Sequence, residues 1–251
     1  MGGMVDIDLS ATLLGGQCFS WKEHEGCFQT VFDGRVVTIR HQEDIVKEGL
    51  SDYFDMDFPY EEARGYLASL SSTLSEAISF HPGLHILRQS QWVATISFIM
   101  SQNNNIKRIT SMYDALCRTY GSLVEGAWHA FPTREELSRA TESELRDLHF
   151  GYRSAYIVKA VREYSEIDND IPTPKARNLL IAKSGIGPKV ADCILLYGCH
   201  RMDVFPMDTW MKKVMSCYFP GKTPSFFAPY QALAQQFLFQ AAQSGALPCS
   251  R

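Results

Sequence analysis

The chain has 251 residues, 45% hydrophobic and 21% charged, which suits one large or two small globular domains with a real core. It has no run of about eighteen apolar residues, so the sequence excludes a membrane-spanning helix. The net charge of −4 argues by itself against a nucleic-acid partner, but the charge is unevenly spread. Residues 1–74 carry thirteen acids and five bases, whereas residues 175–222 carry eight bases and three acids. The second stretch can form a positive face or, more plainly, a solvated charged surface.

Asp6 and Asp8 stand early, with no basic segment before an apolar one, so Met1 to Ser10 is not expected to be a signal peptide. The protein is expected in the cytosol. The seven cysteines, Cys18, Cys27, Cys117, Cys193, Cys199, Cys217 and Cys249, are odd in number and form no CxxC pair. Reduced, mostly buried thiols are expected, rather than a disulfide framework or a zinc or iron–sulfur site.

In chain order, Cys18 to Trp21 alternates and reads as strand. Phe28 to Phe32 and Val36 to Arg40 flank Asp33-Gly34, a hairpin signal because both turn positions need positive φ. Tyr60 to Leu70 has helical spacing and is expected to pack on the resulting sheet. From about His81 the pattern is helical. Trp92 to Ser101 predicts an apolar helix, and Ile106, Ile109, Met112, Tyr113 and Leu116 predict a second. Thr133 with Glu136, and Thr141 with Glu144, have capping-box spacing. Further helices are predicted over Tyr152 to Tyr164, Lys189 to Leu196, Asp208 to Cys217 and Pro229 to Ala242. The expected fold is α+β: a small antiparallel β-sheet domain over 1–80 and a larger all-helical domain over 81–251.

The most informative stretch is Leu180 to Asp192. A helix ends, Gly185-Ile186-Gly187 turns the chain, and a new helix starts at about Pro188. The two glycines permit positive φ and close approach of another backbone. Exposed N–H groups at such a terminus suit a phosphate. This is a helix-hairpin-helix pattern around 180–196, and a plain αα-hairpin is its bland alternative. Lys189 then reads as a surface charge, a phosphate contact or a nucleophile. A nucleophile needs a free amine, and burial and the positive end of a helix both act in that direction. Downstream, Val204 to Trp210 places Asp208 as an N-cap. A carboxylate so fixed can also face developing positive charge.

Six segments in one order carry a resemblance: Gly16 to Trp21, Ser101 to Ile106, Gly151 to Arg153, Gly185 to Cys193, Pro206 to Asp208, and Ala234 to Phe239. Together the chain resembles the helix-hairpin-helix (HhH-GPD) glycosylase superfamily, and within it is similar to the 8-oxoguanine DNA glycosylase/AP lyases. The resemblance implies that Lys189 is a nucleophile forming a Schiff base with the sugar, followed by β-elimination. It implies that Asp208 stabilises the oxocarbenium-like transition state. The Gly16 carbonyl would accept from N7 of the lesion, Cys193 and Phe239 would sandwich the flipped base, and Gln235 would read its Watson–Crick edge. Asn103, Arg108 and Arg153 would fill the vacated stack and read the orphan cytosine, with Tyr152 as a wedge. Gly185 and Gly187 would bring the hairpin to the DNA backbone.

The implied partner is double-stranded DNA containing 8-oxoguanine, bound by a monomer with no membrane involvement. No redox or organic cofactor is implied, only a cation that hairpin carbonyls can hold. The implied compartment is the nucleoid-bearing cytoplasm of a microbe or the nucleus of a eukaryote. One position departs from the animal members: Trp210 stands where they carry His. The competing readings are a related glycosylase for another lesion and a noncatalytic DNA-binding module. Pure binding needs neither Lys189 nor Asp208 at that spacing.

Overall fold

The computed structural model describes residues 5–248, so Cys249 lies outside the described residues. A short helix α1 (Leu9–Leu14) leads into a three-stranded antiparallel sheet of β1 (Lys22–His24), β2 (Cys27–Phe32) and β3 (Arg35–Ile39), in that spatial order. The β2–β3 turn is the expected one, with φ of 47° at Asp33 and 74° at Gly34. Helix α2 (Gln42–Lys47) follows and packs on β3. Trp21, Phe28, Val37, Ile39, Ile45 and Phe54 close a small core beneath the sheet.

Cys18 to Trp21 is not a strand. Cys18, Phe19 and Trp21 are all buried, and the segment is irregular. The buried Gln17 side chain explains this. Its Nε2 donates to His85 O at 2.7 Å and its Oε1 accepts from Leu87 N at 2.9 Å, so the local chain pairs with a side chain rather than a ladder.

Helices α3 (Tyr60–Leu70) and α4 (Ser72–Phe80) pack on each other and not, as expected, on the sheet. Tyr60, Ala63 and Leu67 recur at helical spacing, and the face they form is buried in the larger, helical core. Within 1–80 the strands therefore span only 22–39, and helices make up the remaining regular structure.

The larger body contains α5 (Gln91–Met100), α6 (Ile106–Tyr120), a two-stranded hairpin of β4 (Leu123–Glu125) and β5 (Trp128–His129), α7 (Arg134–Leu137) and α8 (Glu142–Asp147). It continues with α9 (Arg153–Glu163), α10 (Thr173–Ile181), α11 (Pro188–Cys199), α12 (Thr209–Tyr218) and α13 (Gln231–Gln243). Both expected capping boxes are present, Thr133 with Glu136 and Thr141 with Glu144. Helices α5 and α11 are apolar almost all round and pack along each other at the centre of the domain. The second helix of the hairpin motif is thus a core helix, and it positions the site rigidly.

A buried carboxylate ties the two ends of the molecule. Asp55 is 1% exposed and receives Arg88 Nη2 at 2.6 Å, His200 Nε2 at 3.0 Å and the Tyr60 hydroxyl at 3.2 Å. Burial pushes its pKa up, but His200 and Arg88 outweigh that and hold it below the ordinary carboxylate value. His200 ends α11 in the left-handed conformation, so the C-terminus of the central helix is anchored to the N-terminal region.

Candidate active site

The turn between α10 and α11 is built as the sequence suggests, with one difference. Gly185 has φ of 80°, and a Cβ there would collide with the Tyr156 ring on α9. Gly187 has ordinary extended backbone (φ −88°) and open space around it. Only Gly185 needs positive φ. Gly187 caps α11, with Pro188 in its first turn, and it lines a cleft.

That cleft, about 650 Å³, is where the predicted residues converge. Gly16, Asn103, Lys189, Asp208 and Phe239 all line it, with Trp210 on its exposed rim. Lys189 Nζ donates to Ser101 Oγ at 3.2 Å and lies 5.3 Å from the Phe98 ring centroid. Asp208 is the N-cap of α12, its Oδ1 accepting from Met211 N at 2.8 Å.

Gly16 is held from both sides. Gln240 Nε2 on α13 donates to Gly15 O at 3.0 Å, and Gln17 is clamped to residues 85 and 87. Gly16 itself has φ of 97°, and a Cβ there would stand 3.0 Å from Ile106 Cδ1 and 3.9 Å from Phe239 Cε1. A side chain at this position would be strained and would narrow the space beside Phe239.

Cys193 and Gln235 are buried and do not line the cleft. Each sits one helical turn from a residue that does, Cys193 from Lys189 and Gln235 from Phe239. Burial pushes the Cys193 thiol up to about 11, against the pull of Lys189 and with a push from Asp208, so it stays neutral. Gln235 Oε1 accepts from Gln236 Nε2 at 2.7 Å.

The Asn103 loop is held by Arg153, one of the residues expected at the orphan cytosine. Arg153 is 3% exposed. Its guanidinium donates to the carbonyls of Gln102 and Asn103, and it stacks 4.6 Å from the Tyr152 ring centroid. Tyr152 is exposed, and its hydroxyl donates to Gln102 O at 3.2 Å. Asn103 is exposed with φ of 45°. Arg108 is exposed, with one donor on His149 O at 3.2 Å.

Sequence reasoning named the segment Ser101 to Ile106 but gave Ser101 and Ile106 no role. It also missed Phe98, Gln17 and Gln240. The six described cysteines are free, four of them buried. Among the described residues no group of His, Cys, Asp and Glu is arranged to hold a metal. A cation at the hairpin would rest on carbonyls alone, and two of these already accept hydrogen bonds: Gly185 O from Gln102 Nε2 and Lys183 O from Ile186 N.

Residues 96–226 match the HhH-GPD superfamily of base excision DNA repair proteins. The chain belongs to that family. Residues 4–94 match the N-terminal domain of 8-oxoguanine DNA glycosylases, which places this HhH-GPD protein in the 8-oxoguanine glycosylase/lyase branch. It is 37% identical over 193 residues to the N-glycosylase/DNA lyase of Saccharomyces cerevisiae. The match takes in 68% of this chain and 51% of the yeast protein, so the chain spans about half the length of that relative. Two solved structures share the whole HhH-GPD fold. MBOgg1 in complex with a low-affinity DNA ligand has a TM-score of 0.88 and 32% identity, covering 98% of this chain and 95% of that one. The Clostridium acetobutylicum 8-oxoguanine glycosylase/lyase, bound to double-stranded DNA with cytosine opposite 8-oxoG, has a TM-score of 0.85 and 28% identity. Coverage there is 96% of this chain and 93% of the other.

Proposed function

We propose that this protein excises 8-oxoguanine opposite cytosine in duplex DNA and nicks the strand through a covalent intermediate on Lys189. The observation that carries this reading is the shared cleft of Lys189, Asp208, Gly16 and Phe239.

The lesion must first leave the stack, which costs a few kcal/mol. Tyr152 and Asn103 fill the gap, and Arg108 supplies donors to the O2 and N3 acceptors of the orphan cytosine. Arg153 holds the Asn103 loop in place. The Gly16 carbonyl accepts from N7–H of the oxidised base and repels the N7 lone pair of guanine. Phe239 lines the space for the base, and Cys193 and Gln235, buried one helical turn behind Lys189 and Phe239, meet its face and its Watson–Crick edge as the entering base opens the pocket onto them.

The C1′–N9 bond breaks, its electron pair leaving with the base, while Lys189 Nζ bonds C1′. A proton lost from Nζ neutralises the departing base. Asp208 stabilises the positive charge that develops on the sugar. The Nζ lone pair then forms C1′=Nζ as the C1′–O4′ bond breaks, its electron pair going to O4′, which takes a proton from solvent, and an iminium is left. Loss of a C2′ proton expels the 3′ phosphate by cleavage of C3′–O3′, and water releases the enzyme.

Borohydride reduction tests this directly. The protein should become covalently trapped on an 8-oxoguanine:cytosine duplex, and Lys189→Gln should abolish trapping. Trapping that survives the substitution would overturn the assignment.

A further inference from the structure

Three consecutive residues at the end of α5 face three different parts of the site. Ser101 receives the Lys189 amine, Gln102 reaches the hairpin, and Asn103 stands exposed on its loop. Gln102 Nε2 donates to Gly185 O in the hairpin turn at 3.0 Å and to Ile99 O at 3.1 Å. Both partners are carbonyl oxygens, which can only accept, so the sense of the amide is fixed.

This link completes a closed circuit. The Gly185 backbone lies against the Tyr156 ring, with no room for a side chain between them. Tyr156 meets Tyr152 edge to face, with ring centroids 5.8 Å apart and planes at 79°. The Tyr152 hydroxyl donates to Gln102 O at 3.2 Å, and Arg153 Nε donates to the same oxygen at 2.9 Å. The Gln102 side chain then returns to Gly185. The hairpin, the start of α9 and the Asn103 loop are thus joined in one ring. Asn103 itself sits at φ 45°, a region that residues with a side chain seldom adopt, so its placement depends on these restraints.

A side chain that enters the base stack pushes against the duplex, and the push needs a hold on the backbone. The N–H groups at the start of α11 suit that hold. A loop already fixed to the holding element does not have to be ordered during insertion. We propose that Gln102 is a positioning residue that ties the hairpin's hold on the DNA backbone to the insertion of Asn103, and so speeds extrusion of the lesion. The inference rests on Asn103 as the residue that fills the vacated stack.

The test is a double-mutant cycle on the wild type, Gln102→Met, Asn103→Ala and the double variant. Met keeps the length of the side chain and has no donor for Gly185 O. Extrusion is read as the fluorescence rise of 2-aminopurine placed beside 8-oxoguanine in a duplex with cytosine opposite the lesion, at saturating protein. Nicking of a preformed abasic site, where no base has to leave the stack, is followed in parallel as a measure of folding and of Lys189. Gln102→Met and Asn103→Ala should each slow extrusion about tenfold, with abasic nicking within about threefold of the wild type. The double variant should be no slower than the slower single one, because Gln102 acts through Asn103. Extrusion at the wild-type rate in Gln102→Met overturns the proposal. So does a double variant slowed by the product of the two effects, which would make Gln102 independent of Asn103. Abasic nicking that falls as far as extrusion overturns it too, since Gln102 would then support the site in general. Where Gln102→Met folds poorly, Gln102→Glu takes its place in the cycle; it keeps the shape and sets an acceptor against Gly185 O. Asn103→Ala separates the two levels. If it extrudes the lesion at the wild-type rate, Asn103 does not fill the stack and the proposal falls with that reading. If it is slow while Gln102→Met is not, only the positioning role fails.

Discussion

Lys189 Nζ donates to Ser101 Oγ, and the Ser101 hydroxyl in turn donates to Phe98 O at 2.8 Å. The serine at the end of α5 thus sets where the amine sits at the start of α11. Ser101→Ala should slow borohydride trapping roughly three- to tenfold, the scale of one lost hydrogen bond, with little change in melting temperature. Trapping at the wild-type rate would show that the contact does not orient the nucleophile.

Asp208 caps α12, and its proposed electrostatic role is separable from the cap. Asn caps as well as Asp, whereas Ala forfeits about 1 kcal/mol. Asp208→Asn should therefore preserve thermal stability and slow base release by orders of magnitude, while DNA binding changes little. Asp208→Ala should lose both. Equal losses of release and binding in Asp208→Asn would leave Asp208 as a cap only.

The two arginines near the orphan base should separate cleanly. Removing the buried Arg153 strands the carbonyls of Gln102 and Asn103, so Arg153→Ala should cost about 2–4 kcal/mol in denaturant unfolding. Arg108 is exposed, and Arg108→Ala should leave stability nearly intact while weakening the preference for cytosine opposite the lesion. An Arg108 variant with wild-type opposite-base preference would remove it from that role. For the wild type, DNA affinity should fall steeply with added salt; a flat response would argue against phosphate contacts at the hairpin.

Asp192 and His85 pull the pH dependence of stability in opposite directions. Burial, opposed by Arg177, raises the Asp192 carboxyl from 3.8 to about 6. Between those values the folded state keeps a proton that the unfolded chain has released, so stability falls as pH rises through the window. Burial lowers the His85 imidazole from 6.5 to about 4, opposed by its bond to Phe54 O. Between those values the unfolded chain takes the proton first, so stability falls as pH drops. The two offset in the wild type. Asp192→Asn removes the first alone, and its melting temperature should climb more steeply from pH 4 to 6.5 than the wild type's. Parallel curves would refute the raised Asp192.

What could be read from the sequence was local. The Asp33-Gly34 turn, the capping boxes at Thr133 and Thr141 and the Asp208 cap depend on residues within a few positions of one another. So does the hairpin at 185–188, apart from the second positive φ. What escaped was long-range. Cys18 to Trp21 alternates like a strand, but the chain there is governed by Gln17 reaching residues 85 and 87. Helices α1 and α2, at six residues each, are too short to show a period. The face of α3 was legible, but its partner was not. In the site, motif order picked out Gly16, Lys189, Asp208 and Phe239, and the fold brings these four to one cleft. The support at Ser101 acts across the chain, and only the fold brings it to Lys189. Arg153 shows the same limit: the motif match implies a contact to the orphan cytosine, and only the fold shows its guanidinium on the carbonyls of Gln102 and Asn103.

The shared carboxylate at Asp55 bears on how such proteins can be recombined. The two family segments meet near residue 95, which looks like a seam for exchanging parts between relatives. Yet His200 crosses that seam to reach Asp55, and α4, from the first segment, packs against α13, from the end of the chain. A chimera joined there would need to inherit both sides of those contacts from one parent. The lineage can be read as two modules, but it must be inherited as one.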